Sequence, residues 1–354
     1  MGEKVLMKGN EAIGEAAIQA GCQCFFGYPI TPQTEVSAYL AKQMPKLGRV
    51  FLQAESEIAA INMVYGAAGA GIRVMTSSSS PGISLKTEGI SYSVGAEVPF
   101  VIINIVRGGP GLGGIQPAQS DYNQATRGLG HGDMHVPVLA PNSIQEMVDL
   151  IGDAFDIADQ YRTPVMVMGD GMIGQMMEPV EFKARVKREL PEKTWAANGL
   201  GQRTTHNVIN SLYLKASELE LHNIHLNEKY NAIKANEVRY ELFNCQDADL
   251  ILVAYGTTAR ICKNAITLAQ KEGIKVGLLR PITLWPFPVE AFEKTIAETT
   301  HGYLSVEMSM GQMVEDVKLA VLGRKPVGFY GRSGGMIPEP AAILAKIKEM
   351  VGGV

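Results

Sequence analysis

The chain has 354 residues, of which 46% are hydrophobic and 19% charged, and its formal net charge is −4. This balance is typical of a globular protein with a large core, and the length predicts two or three domains. Lys and Arg are not clustered, so nucleic acid is not an expected partner, and no run approaches the roughly 20 apolar residues that span a bilayer. The first residues carry no apolar leader run, so we expect a cytoplasmic protein without membrane contacts.

The first half of the chain alternates short apolar runs with helix-like segments. Strands are predicted at residues 22–28, 50–53, 72–76, 98–106, 136–140 and 164–169. Short, continuous apolar runs are typical of parallel strands that are covered on both faces. Helices are predicted at 57–69, which is rich in Ala, Ile and Met, and at 143–161, which begins with an N-capping Ser. This alternation predicts a doubly wound α/β domain over residues 1–180.

The pattern changes after residue 180. Residues 181–247 are charged, and one or two polar helices are predicted within 207–243. We interpret this region as a connecting arm that could lie on another subunit, because a polar helix covers little core of its own. A smaller α/β domain is predicted over 248–354, with strands at 249–256, 275–281 and 302–308 and helices at 257–272, 287–298, 312–322 and 341–350.

The four cysteines do not include a CxxC pair, and Cys22 and Cys24 lie in a predicted buried strand. Core packing is therefore a better interpretation than metal binding, and no metal site is predicted on this chain. An iron–sulfur cluster usually takes four thiolates, so any cluster in the functional assembly is expected on another chain.

Four predicted turns are candidate ligand sites, because ligands of open α/β sheets bind beyond the carboxyl ends of the strands. The turns are GYPITPQTE with Thr31, QAESE with Glu55 and Glu57, TSSSSPG with Ser80, and VRGGPGLGGIQPAQSD with Arg107. An Arg at the end of a buried strand, before a Gly-rich loop, is well placed to hold a carboxylate with two hydrogen bonds. A Glu at the start of a very apolar helix is partly desolvated, which suits a group that exchanges a proton.

Each of these turns also has a purely structural interpretation. Thr31 or Thr34 could cap a helix, and Ser80 followed by Pro81 has the pattern of an N-cap and a first helical residue. Glu57 suits the dipole of its helix, and Arg107 could simply close a strand on the surface. The residues alone leave both interpretations open.

Two further motifs do not fit their usual contexts. Gly109, Gly111 and Gly114 match GxGxxG, but Pro110 and Pro117 interrupt the helix that a dinucleotide site requires. The sequence GDG at 169–171, with Asn198 further on, resembles the magnesium-diphosphate motif of thiamine enzymes. The segment before that Asn is KRELPEKTWAA, which is no strand, so GDG is interpreted as the end of the last strand.

The turns taken together resemble a known family. GYPITPQTE, LQAESEIAAINMVYGAAGAG, TSSSSPGISLKTEGISY and RGGPGLGGIQPAQSDYNQATRG are similar to the alpha-type subunit of 2-oxoacid:ferredoxin oxidoreductases, nearest the 2-oxoisovalerate (branched-chain) group. The similarity extends to YGTTAR, LLRPITLWPFP and YGRSGG in the second domain. It therefore covers nearly the whole chain.

The resemblance implies a divided active site. The first domain would be the pyrimidine-type thiamine-diphosphate-binding domain, and the second would be like the C-terminal domain of transketolase. A separate beta subunit would carry the diphosphate-type domain with Mg²⁺, and ferredoxin-like gamma and delta subunits would carry the iron–sulfur clusters. The reaction implied is the oxidative decarboxylation of a 2-oxoacid with coenzyme A, giving acyl-CoA, CO₂ and reduced ferredoxin.

The resemblance also implies residue roles. Glu57 corresponds to the glutamate that hydrogen-bonds the aminopyrimidine of the cofactor, Thr31 lies near cofactor and substrate, and Arg107 corresponds to the arginine that holds the substrate carboxylate. The cofactor-binding residues implied are Tyr28, Pro29, Ile30, Thr31 and Glu57. The loop GPGLGGIQPAQ departs from relatives that use 2-oxoglutarate, so the side chain of the preferred 2-oxoacid is left open, with a 2-oxoglutarate- or pyruvate-specific enzyme as alternatives. A non-redox thiamine enzyme also stays open, because the Mg²⁺ and the clusters would lie on partner chains, as does a non-catalytic scaffold.

Overall fold

The structure is a computed structural model that describes residues 4–185 and 188–352. Its strands are β1 (Lys4–Lys8), β2 (Cys24–Gly27), β3 (Val50–Gln53), β4 (Val74–Ser78), β5 (Val101–Val106), β6 (Val138–Leu139), β7 (Val165–Asp170), β8 (Met177–Glu181), β9 (Tyr240–Phe243), β10 (Leu250–Val253), β11 (Val276–Pro281), β12 (Thr283–Trp285), β13 (Tyr303–Glu307) and β14 (Val327–Gly331). Its helices are α1 (Gly9–Gln19), α2 (Thr34–Gln43), α3 (Glu57–Gly69), α4 (Pro81–Gly95), α5 (Tyr122–Thr126), α6 (Ile144–Tyr161), α7 (Gly171–Gln175), α8 (Ala216–Asn236), α9 (Gly256–Lys271), α10 (Val289–Thr295), α11 (Met313–Val321) and α12 (Pro340–Gly352).

The first domain is built on a seven-stranded sheet in the order β12-β6-β7-β5-β4-β2-β3. All neighbouring pairs are parallel except β12 with β6. All residues of β4, β5 and β7 are buried, as the apolar runs predict for strands covered on both faces. Several predicted strands are shorter in the structure, and the run at 22–28 pairs only over Cys24–Gly27.

Helices cover both faces of this sheet. Ile13, Leu40 and Phe155, from α1, α2 and α6, belong to the core on one face. Ile61 and Ile90, from α3 and α4, belong to the core on the other. The predicted doubly wound arrangement is thereby confirmed.

A serine caps each of two of these helices, and the Ser143 cap is the one that the sequence predicts. The Ser143 side chain accepts a hydrogen bond from the amide of Glu146, and the Ser56 side chain accepts one from the amide of Ala59. Both satisfy an amide that the first helical turn leaves without a partner.

The second domain is built on a five-stranded sheet in the order β14-β13-β10-β11-β9. Its core strands are parallel, and β9 adds an antiparallel edge. Helices α9 and α12 pack together over this sheet with Ile343 and Ile347 fully buried. The strands and helices predicted after residue 248 are all present, each shifted by a few residues at its ends.

The charged region between the two domains differs from the prediction. Only 216–236 of the predicted helical stretch 207–243 is helical, and Tyr240–Phe243 is strand β9 instead. Helix α8 buries Leu226, Tyr230 and Ile233, which recur at helical spacing on one face. These residues belong to the same core as Trp285 and Ile251, so α8 packs on its own chain.

One strand from the second part of the chain joins the first sheet. β12 follows β11 of the second sheet directly along the chain but pairs with β6 of the first sheet.

Among the residues that the structure describes, no helix is both long and apolar enough to cross a membrane.

Candidate active site

The predicted ligand-binding turns meet at one edge of the first sheet. The turns after β2, β4 and β5 follow three neighbouring parallel strands, whose carboxyl ends lie side by side. The turn after β3 leads into α3, which begins at Glu57. The fold therefore brings Thr31, Glu57, Ser80 and Arg107 to the same edge.

Glu57 is the first residue of α3, and its side chain is buried, with 7% of the residue exposed. Its carboxylate lies against the first turn of α4: a Cβ atom added at Gly82 would lie 2.8 Å from Glu57 Oε1. Glu55, the other acid of this turn, is exposed. Burial therefore distinguishes Glu57 as the acid with a restricted environment.

Arg107 is buried at the end of β5 and joins two of the turns. Its Nη1 donates to the Thr31 carbonyl oxygen at 2.8 Å, and its Nη2 donates to the Leu112 carbonyl oxygen at 3.0 Å. Its Nε has no hydrogen-bond partner among the described residues. The predicted surface role as a simple strand end is wrong, because the guanidinium is enclosed and still has donors to offer a carboxylate.

Ser80 is the N-cap residue of α4 and Pro81 its first residue, as the sequence predicts, but the Ser80 side chain makes no capping hydrogen bond. Its hydroxyl donates to Asp121 Oδ2 at 2.7 Å and accepts from the Arg107 amide at 3.1 Å. Asn104 donates to the same Asp121 oxygen at 3.0 Å. This network holds Ser80 at a φ of 27°, a value that a residue with a side chain adopts at a cost.

Asp121 is the centre of this network and was not singled out from the sequence. Burial raises the pKa of its carboxyl group, and the hydrogen bonds from Asn104 and Ser80 act in the opposite direction. The one local signal was Asn104, a polar residue inside the apolar run VIINIV. Its partners lie far away in sequence, so the signal could not identify them.

The turn after β2 is largely open to solvent. Tyr28, Pro29 and Thr31 are exposed, and Ile30 is half-buried. Neither threonine caps α2: the N-cap position is Gln33, which makes no side-chain cap, and Thr34 donates to the Ile30 carbonyl oxygen.

Several buried polar atoms at this edge lack a hydrogen-bond partner among the described residues. They are Gln33 Nε2, Ser78 Oγ, Ser79 Oγ and Arg107 Nε. Unpaired buried donors and hydroxyls are uncommon and call for an explanation such as a bound ligand. Lys86 on α4, also missed from the sequence, is fully buried.

The GDG turn has a structural role. Asp170 ends β7, and its carboxylate accepts from the amides of Met172 and Ile173 at the start of α7. The interpretation as a strand end is thereby confirmed. The glycine-rich segment 109–114 is a loop and does not open a helix.

The cysteines are free thiols buried in the cores. Burial raises the pKa of Cys22 to about 12 and that of Cys245 to about 11. Thiols with a raised pKa are poor nucleophiles and poor metal ligands, which supports the packing interpretation.

Comparison with known proteins decides the family. The family model of the thiamine diphosphate-binding domain of pyruvate flavodoxin/ferredoxin oxidoreductases matches residues 15–241, and that of core domain II of pyruvate:ferredoxin oxidoreductase matches residues 248–343. The ketoisovalerate oxidoreductase subunit VorB of Methanothermobacter marburgensis is 52% identical over 98% of this chain and 98% of its own length. The chain belongs to the 2-oxoacid:ferredoxin oxidoreductase family. The resemblance inferred from the sequence is confirmed.

Solved structures agree with this assignment. A 2-oxoglutarate:ferredoxin oxidoreductase from Magnetococcus marinus, with 2-oxoglutarate, coenzyme A and succinyl-CoA bound, is 26% identical and superposes with a TM-score of 0.86. The superposition covers 99% of this chain and 66% of the longer Magnetococcus marinus chain. A split-gene transketolase, an inactive beta4 tetramer, is 13% identical with a TM-score of 0.59, covers 99% of each chain and shows the fold alone.

Proposed function

We propose that this oxidoreductase chain is the alpha-type subunit of an enzyme that decarboxylates a branched-chain 2-oxoacid, such as 2-oxoisovalerate. One 2-oxoacid and one coenzyme A give one acyl-CoA and CO₂, and the two electrons released reduce ferredoxin. The observation that carries the proposal is the buried Glu57 at the same sheet edge as Thr31 and the enclosed Arg107.

The residues at this edge fit thiamine diphosphate. Glu57 is the buried carboxylate that would accept a hydrogen bond from the aminopyrimidine, and the largely exposed turn Tyr28–Pro29–Ile30–Thr31 would lie along the ring. When bound, the cofactor supplies the carbanion chemistry that a 2-oxoacid needs to lose CO₂. Gln33 Nε2 and Ser79 Oγ, which have no partner among the described residues, are available to a polar ligand there.

Arg107 is the proposed anchor for the substrate carboxylate. Its contacts with Thr31 and Leu112 take one hydrogen from each terminal nitrogen, which leaves one on each and one on Nε. A planar fork with free donors suits a carboxylate, and partial burial strengthens the attraction. The same contact with Thr31 fixes the cofactor turn relative to the substrate site.

The rest of the active site is proposed to come from other chains. A beta subunit would supply the diphosphate-type domain with Mg²⁺, since Asp170 of the GDG turn is committed to capping α7. Ferredoxin-like gamma and delta subunits would carry the iron–sulfur clusters, since the thiols of this chain are buried in its cores. A cytoplasmic location stays a prediction.

The test is activity of the assembled complex with Glu57→Gln and, as a matched control, Glu55→Gln. We expect coenzyme-A-dependent dye reduction to fall at least about a hundredfold for Glu57→Gln, the size of an acid–base contribution. The exposed Glu55 should be replaceable with less than a twofold effect, roughly the error of such an assay. Full activity of Glu57→Gln would refute the proposed role and favour a scaffold subunit.

The substrate is tested with the same complex and a series of 2-oxoacids. The branched-chain assignment predicts the highest kcat/KM for 2-oxoisovalerate, consistent with the relative that shares 52% identity. A preference for 2-oxoglutarate would refute it and favour the alternative carried by the Magnetococcus marinus enzyme.

A further inference from the structure

Lys86 is a fully buried cation beside the candidate active site. Its Nζ donates to Thr76 Oγ1 at 3.1 Å, and Thr76 in turn donates to the Phe26 carbonyl oxygen at 2.7 Å. An ammonium has three donors, yet Lys86 makes no other hydrogen bond and no ion pair within the part of the chain that the structure describes. Burying an ammonium this way is costly, so its presence in the core needs a reason.

The packing of α4 on α3 locates Lys86 relative to Glu57. A Cβ atom at Gly82 would lie 2.8 Å from Glu57 Oε1, and a Cβ atom at Gly89 would lie 2.7 Å from Ile61 Cγ2. Positions 82, 86 and 89 fall on one face of a helix, since residues three and four apart are neighbours. Lys86 therefore lies on the face of α4 that is turned to α3, between these two close contacts.

Electrostatics connect the same two residues. Burial lowers the pKa of Lys86 to about 8, and attraction to Glu57 opposes this effect. Within the described residues, Glu57 is the one charge that acts appreciably on Lys86. The ammonium and the carboxylate thus share an environment closed to water, in which Coulomb attraction is stronger than at the surface.

We propose that Lys86 is a positioning residue for Glu57: the buried ammonium of Lys86 balances the charge of the Glu57 carboxylate and holds this carboxylate, at the start of α3, against Gly82 of α4. The inference rests on the proposed function for the catalytic importance of Glu57, but the charge pair itself does not. A buried carboxylate with no counter-charge would turn toward water, away from the position at which the cofactor is expected.

The charge pair is tested by thermal unfolding of the full-length chain without cofactor, using Lys86→Met, Glu57→Gln and the double variant. Glu57→Gln lowers the Tm because it leaves a buried ammonium without a counter-charge. Adding Lys86→Met recovers Tm, so the two changes depart from additivity by about 2 °C or more. Additive changes in Tm overturn the inference.

Thr76→Val is the matched control. It removes the hydrogen bond from Lys86 and the hydrogen bond to the Phe26 carbonyl oxygen, and it leaves both charges in place. Its effect on Tm should be the same with Glu57 as with Glu57→Gln. Should Lys86→Met not fold, Lys86→Gln gives the same cycle with a polar side chain.

The catalytic consequence is measured in the assembled complex. Lys86→Met lowers kcat at least about tenfold, a fraction of the acid–base contribution, and weakens the affinity for thiamine diphosphate. The KM for the 2-oxoacid stays within about twofold because Arg107 is untouched. Unchanged kcat and cofactor affinity in Lys86→Met overturn the positioning role.

The two proposals fail in distinguishable ways. Non-additive Tm changes together with full activity of Glu57→Gln would refute the proposed function of Glu57 and support the charge pair. A hundredfold loss of activity in Glu57→Gln together with additive Tm changes would refute the role of Lys86 and leave the proposed role of Glu57 supported.

Discussion

Replacing Gly82 by Ala tests the geometry of the candidate active site without removing any functional group. A Cβ at this position would lie 2.1 Å from Ser78 Oγ, 2.8 Å from Glu57 Oε1 and 3.2 Å from Glu57 Cγ. The Ser78 hydroxyl has no hydrogen bond with any described residue to hold it, so it can rotate away. The Glu57 side chain must shift.

The expected loss of stability is small and the expected loss of activity is large. Overpacking costs about 1–3 kcal/mol, and the better helix propensity of Ala returns up to about 1 kcal/mol. The net cost of about 1 kcal/mol corresponds to a fall in Tm of about 1–2 °C for a chain of 354 residues. A displacement of roughly 1 Å at a reacting group can lower the rate about a hundredfold, so kcat should fall far more than stability suggests.

Gly66→Ala is the matched control, since Gly66 lies in α3 and its added Cβ would meet no atom within 4 Å. We expect a gain of up to about 1 kcal/mol and unchanged activity. Thermal unfolding and dye-reduction assays of the complex measure both quantities. An active Gly82→Ala enzyme would refute the close contact between α4 and the Glu57 carboxylate.

Three further perturbations address single residues. Arg107→Lys should raise the KM for the 2-oxoacid at least about tenfold in steady-state kinetics, because it loses the two-pronged guanidinium; a fall in kcat alone would contradict this role. Asp170→Ala should lower the free energy of unfolding, measured in urea, by about 1 kcal/mol, because α7 loses its cap. The dependence of the activity on Mg²⁺ concentration should be unchanged. Weaker activation by Mg²⁺ would favour the interpretation of GDG as a metal site. Burial opposes ionisation of Glu97, but attraction from Lys229 outweighs it and lowers its pKa to about 2. The stabilisation that the ionised Glu97 contributes is complete at a pH above 4.5, its ordinary pKa, and is lost as the pH falls toward 2. Between pH 4.5 and pH 2 the Tm of the wild type should therefore fall more steeply than that of Glu97→Gln. Parallel curves of Tm against pH would exclude this contribution.

The sequence by itself determined six strands of the first sheet, β2 to β7, and the three central strands β10, β11 and β13 of the second. Continuous apolar runs predict buried parallel strands, and the Glu57 helix is recognisable from its apolar sequence. These signals are local, since a strand or a helix is encoded by the spacing of neighbouring residues. The family resemblance then added the roles of Thr31, Glu57 and Arg107, which stay predictions.

The spacing of neighbouring residues gave a wrong prediction where the same composition is compatible with either a helix or a strand. The charged stretch after residue 207 looks helical throughout, but Tyr240–Phe243 pairs as an antiparallel edge strand with β11, with three of its residues half-buried and Leu242 exposed. Whether such a segment becomes helix or strand is decided by the partner it meets.

Only the tertiary structure decided which polar side chains belong to the site. Ser80 reaches Asp121 across 41 residues, and Tyr122 in the first domain donates to Asp316 across 194. Lys86 is one more lysine in the sequence, and its burial against the Glu57 helix becomes apparent only when α4 packs on α3. Such contacts depend on how distant segments pack, because the charge and hydrogen-bond environment of a buried group is set by neighbours in space rather than in sequence.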